Sequence, residues 1–254
     1  MKLAVSNLNF LGVDTPLLAE IPPDTGLEFF VEFGDDYLWE SWGNRLLEGR
    51  AGGFSVHGPY QNLDLADPCL GERSMERSFR RAFSIARRFG ARYLVLHPNA
   101  PYQGEDRMRP EAKEASFRHI CMISRWAKEY GVPLCVENMG YGNPQEQLFD
   151  MKEYLEILER AQDVYSLIDV GKLHLAGWDL EMLTKALGNR VMAYHLHDNN
   201  GREDQHLQIG AGSFDWDLFR RIYRARTPDA LGVLEYLKVP LPRVLENIQM
   251  AADW

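Results

Sequence analysis

Eight short apolar runs recur along the chain, rich in Val, Leu, Phe and Tyr: KLAVSNL, LEFFVEFG, FSVHGPY, RYLVLHPN, PLCVENM, VYSLIDVG, VMAYHLHD and ALGVLEYL. Runs of this length and composition suit strands buried on both faces. Longer stretches of helical period separate them. SMERSFRRAFSIARRFG sets Phe79, Ala82, Phe83 and Ala86 on one stripe, with Arg77, Arg80, Arg81 and Arg87 forming a solvated face around the rest. PEAKEASFRHICMISRWAKEYG opens on Pro110 and stops at Gly131, a helix start and a helix end. DMKEYLEILERAQD, DLEMLTKALGNR, DWDLFRRIYRAR and PLPRVLENIQMAADW supply later helices, and the first connection, near DTPLLAEIPPDTG, has the weakest helical pattern. His119 stands on a predicted helix away from any cluster and reads as structural.

Repeated strand–helix units in one chain mean a parallel sheet. About eight of them, with no linker-like tract between, predict a single (β/α)8 TIM barrel spanning residues 1–254 as one domain. The length of 254 residues matches that architecture, which commonly uses about 250. A doubly wound open sheet is the alternative, but no GxGxxG follows the first strand.

Composition narrows the function classes. At 45% hydrophobic and 26% charged the chain has an ordinary globular balance. Its net charge of −9 argues against nucleic acid as a partner, since binding a phosphate backbone generally needs a basic face. Cys69, Cys121 and Cys135 form no CxxC pair and read as free thiols in a reducing, cytoplasmic setting. No run of about 18 apolar residues announces a membrane span. The opening MKLAVSNLNFLGVD reads as a strand and not a signal peptide.

The polar residues then change the picture. The later apolar runs close on ionisable groups: His57 in VHGPY, His97 in LHP, Glu137 in VEN, Asp169 in IDVG, His195 and His197 in HLHDN, and Glu235 in LEYL. A charged group ending an apolar strand is costly unless it is paired, ligated or facing a wet cavity. In a parallel barrel all strand C-termini meet on one face, which carries the chemistry. For each residue alone a helix cap or loop hydrogen bond is an adequate reading. Six successive units confined to His, Asp and Glu point instead to ligands of a divalent ion with nitrogen and oxygen preference. His197 shares a strand side with His195 and reads as a hydrogen-bond partner of a ligand or a rim filler. Glu32, near the end of the second run, is a candidate to enter the cavity.

With these motifs and DQHLQIGAG (Asp204, His206), the chain resembles the xylose isomerase-like barrels, which include sugar-phosphate isomerases and epimerases and also endonuclease IV. Members that isomerise sugars hold one metal with a Glu, an Asp, a His and a second Glu from late strands. The resemblance therefore implies a divalent ion (Mn, Mg, Co or Zn) on Glu137, Asp169, His195 and Glu235. A second ion at His57, His97 and Glu137 would follow the endonuclease IV pattern. That pattern also needs a His three residues after the Asp, where this chain has Lys172. A cation there would repel a third metal.

The implied reaction is isomerisation or epimerisation of a small carbohydrate through an enediolate, with Glu137 and Glu235 as base and acid. Lys172 is a candidate to stabilise the enediolate oxygen or hold a substrate anion, or else a salt-bridge partner of Asp169 or Asp204. His57, His97, Asp204, His206, Arg202 and Glu32 are candidate substrate contacts. Asp204 and His206 read alternatively as loop anchors or ligands of a second metal, and His174 as packing or capping. Gly210 and Gly212 allow a tight return before a helix start at Asp215. The alternatives are an endonuclease IV-like zinc phosphodiesterase acting on abasic DNA, a related lyase or dehydratase, and a non-catalytic binder. Substrate identity and oligomeric state stay open.

Overall fold

The computed structural model describes residues 1–34 and 36–254. Eight parallel strands follow one another in chain order around a closed barrel: β1 (Leu3–Ser6), β2 (Gly26–Phe30), β3 (Phe54–His57), β4 (Leu94–Leu96), β5 (Leu134–Glu137), β6 (Val164–Asp169), β7 (Val191–Leu196) and β8 (Leu231–Leu234). The ring closes where Ala4 of β1 pairs with Val233 of β8. No helix among the described residues is long and apolar enough to cross a membrane.

Strand alternation sorts the apolar residues into two layers. Ala4, Tyr93, Val95, Cys135, Leu167, Ala193, Leu231 and Val233 form a buried cluster of their own inside the barrel. Their chain neighbours Leu94, Leu96, Val136, Ile168, Tyr194, Leu196 and Leu234 belong to the larger cluster under the helices. Two residues beyond Val95, Cys135, Leu167, Ala193 and Val233, on the same inward side, come His97, Glu137, Asp169, His195 and Glu235. The apolar inner layer is thus the floor on which the polar rim stands.

The helices are α1 (Asp36–Leu47), α2 (Glu72–Arg88), α3 (Arg109–Tyr130), α4 (Met151–Arg160), α5 (Val170–Ala176), α6 (Leu180–Leu187), α7 (Trp216–Arg226) and α8 (Leu241–Ala252). On α2 the predicted stripe of Phe79, Ala82, Phe83 and Ala86 is buried; each phenylalanine so removed from water contributes roughly 1.5–3 kcal/mol. α3 ends at Gly131, whose φ of 68° lets its N–H reach the carbonyls of Ala127 and Lys128. Asp150 and Glu153 close a capping box on α4.

Three connections differ from the apolar pattern. The first is a 3-10 run, Gly12–Glu20, with only Leu18 buried and Pro16 inside it. The second holds α1, a helix that the sequence pattern did not announce: Gly43 lowers its propensity, and it anchors through Trp39 and Leu46. After β6 there are two helices, α5 and α6, divided at Gly177, where φ is 65°.

The β7–α7 connection is built around Asp198. Its backbone exchanges two 2.9 Å hydrogen bonds with Leu207. Its carboxylate accepts from Asn199 N at 2.9 Å, Gly210 N at 3.0 Å, Phe214 N at 3.1 Å and Trp216 Nε1 at 2.8 Å. Gly210 makes the tight return with φ of 80°, and Asp215 caps α7 by accepting from Leu218 N.

Candidate metal centre and active site

The barrel gathers Glu137, Asp169, His195 and Glu235 into one buried cluster. The donor set is ordered by His195. Its Nε2–H donates to Glu28 Oε1 at 2.7 Å, which turns Nδ1 into the cluster. Burial lowers the imidazole pKa, but Glu235, Glu137 and Glu28 drive it well above the usual value, so Nδ1 would ligate an ion by giving up its proton. That Nδ1 stands 3.4 Å from Glu235 Oε2, 3.5 Å from Glu137 Oε1 and 3.9 Å from Asp169 Oδ2. It is buried without a hydrogen-bond partner among the described residues, as are Glu235 Oε1 and Glu137 Oε2. Buried polar atoms without a partner are costly in any protein that leaves them so, and here they belong to the same residues whose other oxygens, Glu235 Oε2 and Glu137 Oε1, face His195 Nδ1. Three carboxylates and an imidazole are the oxygen and nitrogen donors that a divalent ion takes, so the residues present fit one.

Glu28 is a residue that sequence reasoning missed. It is fully buried, and its Oε2 accepts from Ser55 Oγ at 2.8 Å and Tyr93 Oη at 2.9 Å. Burial opposes its charge, but His195, His57 and the Ser55 hydroxyl outweigh burial and hold its carboxyl below the usual range. The signal was present: a carboxylate in the middle of a doubly buried strand needs a partner. The sequence pattern singles out Glu32 instead, beyond the end of β2. The Glu32 carboxylate accepts from Tyr60 N and Gln61 N, at 3.1 and 3.2 Å, on the β3–α2 connection.

Asp169 ends β6 and begins α5. Its Oδ1 caps the helix by accepting from Lys172 N at 2.8 Å, and Asn138 fixes its backbone from β5 through two hydrogen bonds. His197 Nε2 lies 2.9 Å from Asp169 Oδ1, so the histidine pairs with a candidate ligand. Gly171 makes this approach feasible, since a Cβ there would fall 2.0 Å from the His197 ring. Lys172 extends from the first turn of α5 into the cluster. Its ammonium bonds Glu137 Oε1 and lies 3.4 Å from Asp169 Oδ2. Burial opposes ionisation of Glu137, yet Lys172, His97 and His195 hold its carboxyl well below the usual range. Lys172 is driven the other way, well above its ordinary value, by Glu137 and Asp169 against burial.

A second constellation shares Glu137. His57 Nδ1–H donates to Gly58 O at 2.9 Å, which turns Nε2 toward Glu137 Oε2 at 3.7 Å. The ring stacks on Phe30, with centroids 3.8 Å apart. His97 Nε2 is 3.1 Å from the same oxygen without the alignment of a hydrogen bond. Burial and the Lys172 charge push His97 down to about 4, so it is neutral and able to ligate.

The β7–α7 connection adds Asp204 and His206. His206 Nδ1–H donates to Glu235 O at 2.9 Å, Nε2 stands 3.5 Å from Asp204 Oδ2, and the ring stacks on His197 at 3.9 Å. Burial lowers the pKa of His206, but the Asp204 and Glu235 carboxylates raise it to about 9. A cavity of about 270 Å³ opens above the cluster. His57, His97, Lys172, Asp204, His206 and Glu235 line it, with Leu8, Phe30, Tyr60, Leu63, Met139 and Tyr141 among its apolar and aromatic walls. The structure does not bring Arg202 or Glu32 to that wall: Arg202 is exposed, with its backbone carbonyl packed on Gly142. His174 pairs with Ser213 Oγ at 2.9 Å, a loop contact.

The profile of the family described as xylose isomerase-like TIM barrel matches residues 18–253. Uncharacterized protein MJ1614 of Methanocaldococcus jannaschii is 27% identical over 226 residues, 87% of either chain. An inosose isomerase of Bacillus licheniformis is 24% identical over 58% of this chain and 54% of its own length. Among solved structures, a D-tagatose 3-epimerase-like protein superposes with a TM-score of 0.83 at 21% identity, covering 100% of this chain and 96% of the other. The IOLI protein with a bound zinc atom gives 0.72 at 20% identity, again over 100% and 96%. At these identities the two structures speak for the fold.

Proposed function

This chain belongs to the xylose isomerase-like TIM barrel family, and we propose that it is a divalent-metal-dependent isomerase or epimerase of a small sugar, keto-sugar or sugar phosphate. Glu137, Asp169, His195 and Glu235 would hold the ion. The observation that carries this reading is His195, locked by Glu28 at one nitrogen and facing three carboxylates with the other at 3.4–3.9 Å. The activities named for the inosose isomerase and the epimerase-like neighbour support the reaction class. The zinc in IOLI supports the ion.

A bound divalent ion would polarise a substrate carbonyl and its neighbouring hydroxyl. The chain's own residues supply the rest. Glu137 is ionised, as a group that takes a proton from the carbon beside the carbonyl must be, and it would gain basicity once Lys172 lets go of it. Glu235 reaches the cavity from the end of β8, three strands further round the ring, and would return a proton from another side. Return to the same carbon from the opposite face gives the epimer; return to the adjacent carbon exchanges aldose and ketose. His57, His97, Asp204 and His206 on the wall would hold the substrate's hydroxyls, and the Lys172 ammonium would meet a developing or resident anion. The cavity of about 270 Å³ is monosaccharide-sized, below the roughly 300 Å³ at which drug-sized clefts begin.

A second reading, a zinc phosphodiesterase, is favoured by one observation. His57 Nε2 and His97 Nε2 converge on Glu137 Oε2 as a second donor set. Against it stand Lys172 in place of a third-metal histidine and the net charge of −9. The test is proton exchange at the α-carbon of a ketose panel in D₂O, beside nicking of abasic-site DNA. Exchange on at least one sugar with no nicking is the expected result. Robust nicking without exchange would reverse the assignment.

A further inference from the structure

Lys172 occupies an unusual place for a substrate-binding cation. Its side chain is 8% exposed, and its ammonium is shared by Glu137 and Asp169, two of the four proposed ion ligands. Glu235, a third, also acts on its charge, as does Asp204 from the cavity wall. The cluster therefore already contains a cation that satisfies the oxygens an ion would need. A dication and an ammonium on the same oxygens would repel at contact distance in a low-dielectric site.

We propose that Lys172 is the resident counter-ion of the metal centre: it neutralises Glu137 and Asp169 in the ion-free protein and swings toward Asp204 when a divalent ion takes them. The inference rests on the metal reading given above. Its physical basis is compensation. Four buried carboxylates, Glu28, Glu137, Asp169 and Glu235, lie around His195. Without a counter-charge they would spread apart or bind protons. Lys172 holds Glu137 and Asp169 in ligand geometry, while His195 pairs with Glu28. The same pairing opposes loading, because the ion must displace a buried, bonded ammonium. Asp204 offers the displaced group a new partner: it faces the cavity, its side chain is 35% exposed, and His206 and His197 contact it at 3.5 and 3.9 Å, longer than good hydrogen bonds. Among the described residues lining the cavity, Lys172 is the only lysine or arginine. Loading would thus also deliver the cavity's one such cation to the side where substrate sits, coupling ion and substrate through a single side chain.

The experiment measures Zn²⁺ affinity by chelator competition for wild type, Lys172→Met and Lys172→Gln. Lysine-¹⁵N NMR of the wild type is followed during the same titration. Both substitutions should tighten Zn²⁺ binding by about tenfold or more, the low end of what freeing a buried pair predicts once a new partner is offered. The slowly exchanging Lys172 ammonium resonance should shift or vanish as Zn²⁺ saturates the wild type. If the variants fail to fold, the wild-type resonance decides alone. Wild type that binds Zn²⁺ with an unmoved Lys172 resonance, and with variants no tighter, overturns the counter-ion and leaves the metal reading intact. Failure of every chain to bind Zn²⁺ overturns the metal reading and the counter-ion with it.

Discussion

His195 donates to Glu28 through Nε2, and that bond is what aims Nδ1 at three carboxylates. A carboxylate behind a ligand histidine raises that ligand's basicity, and its loss typically costs 10–100-fold in ion affinity. Glu28→Gln keeps the shape and an acceptor oxygen but removes the charge. It should fold and weaken Zn²⁺ or Mn²⁺ by about tenfold or more, measured by chelator competition; unchanged affinity would mean that Glu28 serves packing alone. Which of these residues showed in the sequence follows from where they sit. His57, His97, Glu137, Asp169, His195 and Glu235 interrupt apolar runs near their ends, where burial makes a charge conspicuous. Glu28 lies inside its run and was hidden by Glu32. Lys172 was visible as a cation beside Asp169, but the direction its long side chain takes depends on the charge field of four strands, which no local pattern carries.

At the scale of elements, the strands were legible because a doubly buried strand is nearly all apolar, and α2 and α3 because a stripe or a Pro–Gly pair marks them. α1 was not, since its anchoring rests on few residues. The β7–α7 connection showed its histidines and glycines but not its organiser. Asp198 gathers four hydrogen bonds from Asn199, Gly210, Phe214 and Trp216, a role that depends on the fold-back pairing with Leu207. Asp198→Ala leaves those donors unmatched and should cost about 2–4 kcal/mol, several hydrogen bonds to a charged group being lost together with partial rescue by water. Residues 199–214 should exchange amide hydrogens faster and become susceptible to protease, while the ion stays bound. Activity should fall through a raised KM, because Asp204 and His206 are carried on this connection. Loss of the ion instead would show that the connection supports the ligands themselves.

For the whole molecule, the barrel concentrates like charge at one buried point, so its stability must depend on what neutralises that point. An ion that binds only the folded chain stabilises it by about 2.7 kcal/mol at a hundredfold excess over its Kd. For a chain of this size that corresponds to a rise in Tm of about 5–10 °C. Addition of Zn²⁺ or Mn²⁺ should therefore raise Tm, and a chelator should reverse the gain. Glu235→Gln sharpens the test. Glu235 Oε1 has no hydrogen-bond partner among the described residues, and the side chain is buried beside other carboxylates. Neutralising it relieves repulsion from the other carboxylates but gives up its pull on His195, His206 and Lys172, so the ion-free variant should melt at or somewhat below the ion-free wild type. It also removes a ligand, so the rise on adding metal should shrink or disappear. The gap between the two melting temperatures should therefore widen when the ion is added. An equal rise in both proteins would place the stabilising ion elsewhere on the molecule and take Glu235 out of the metal centre.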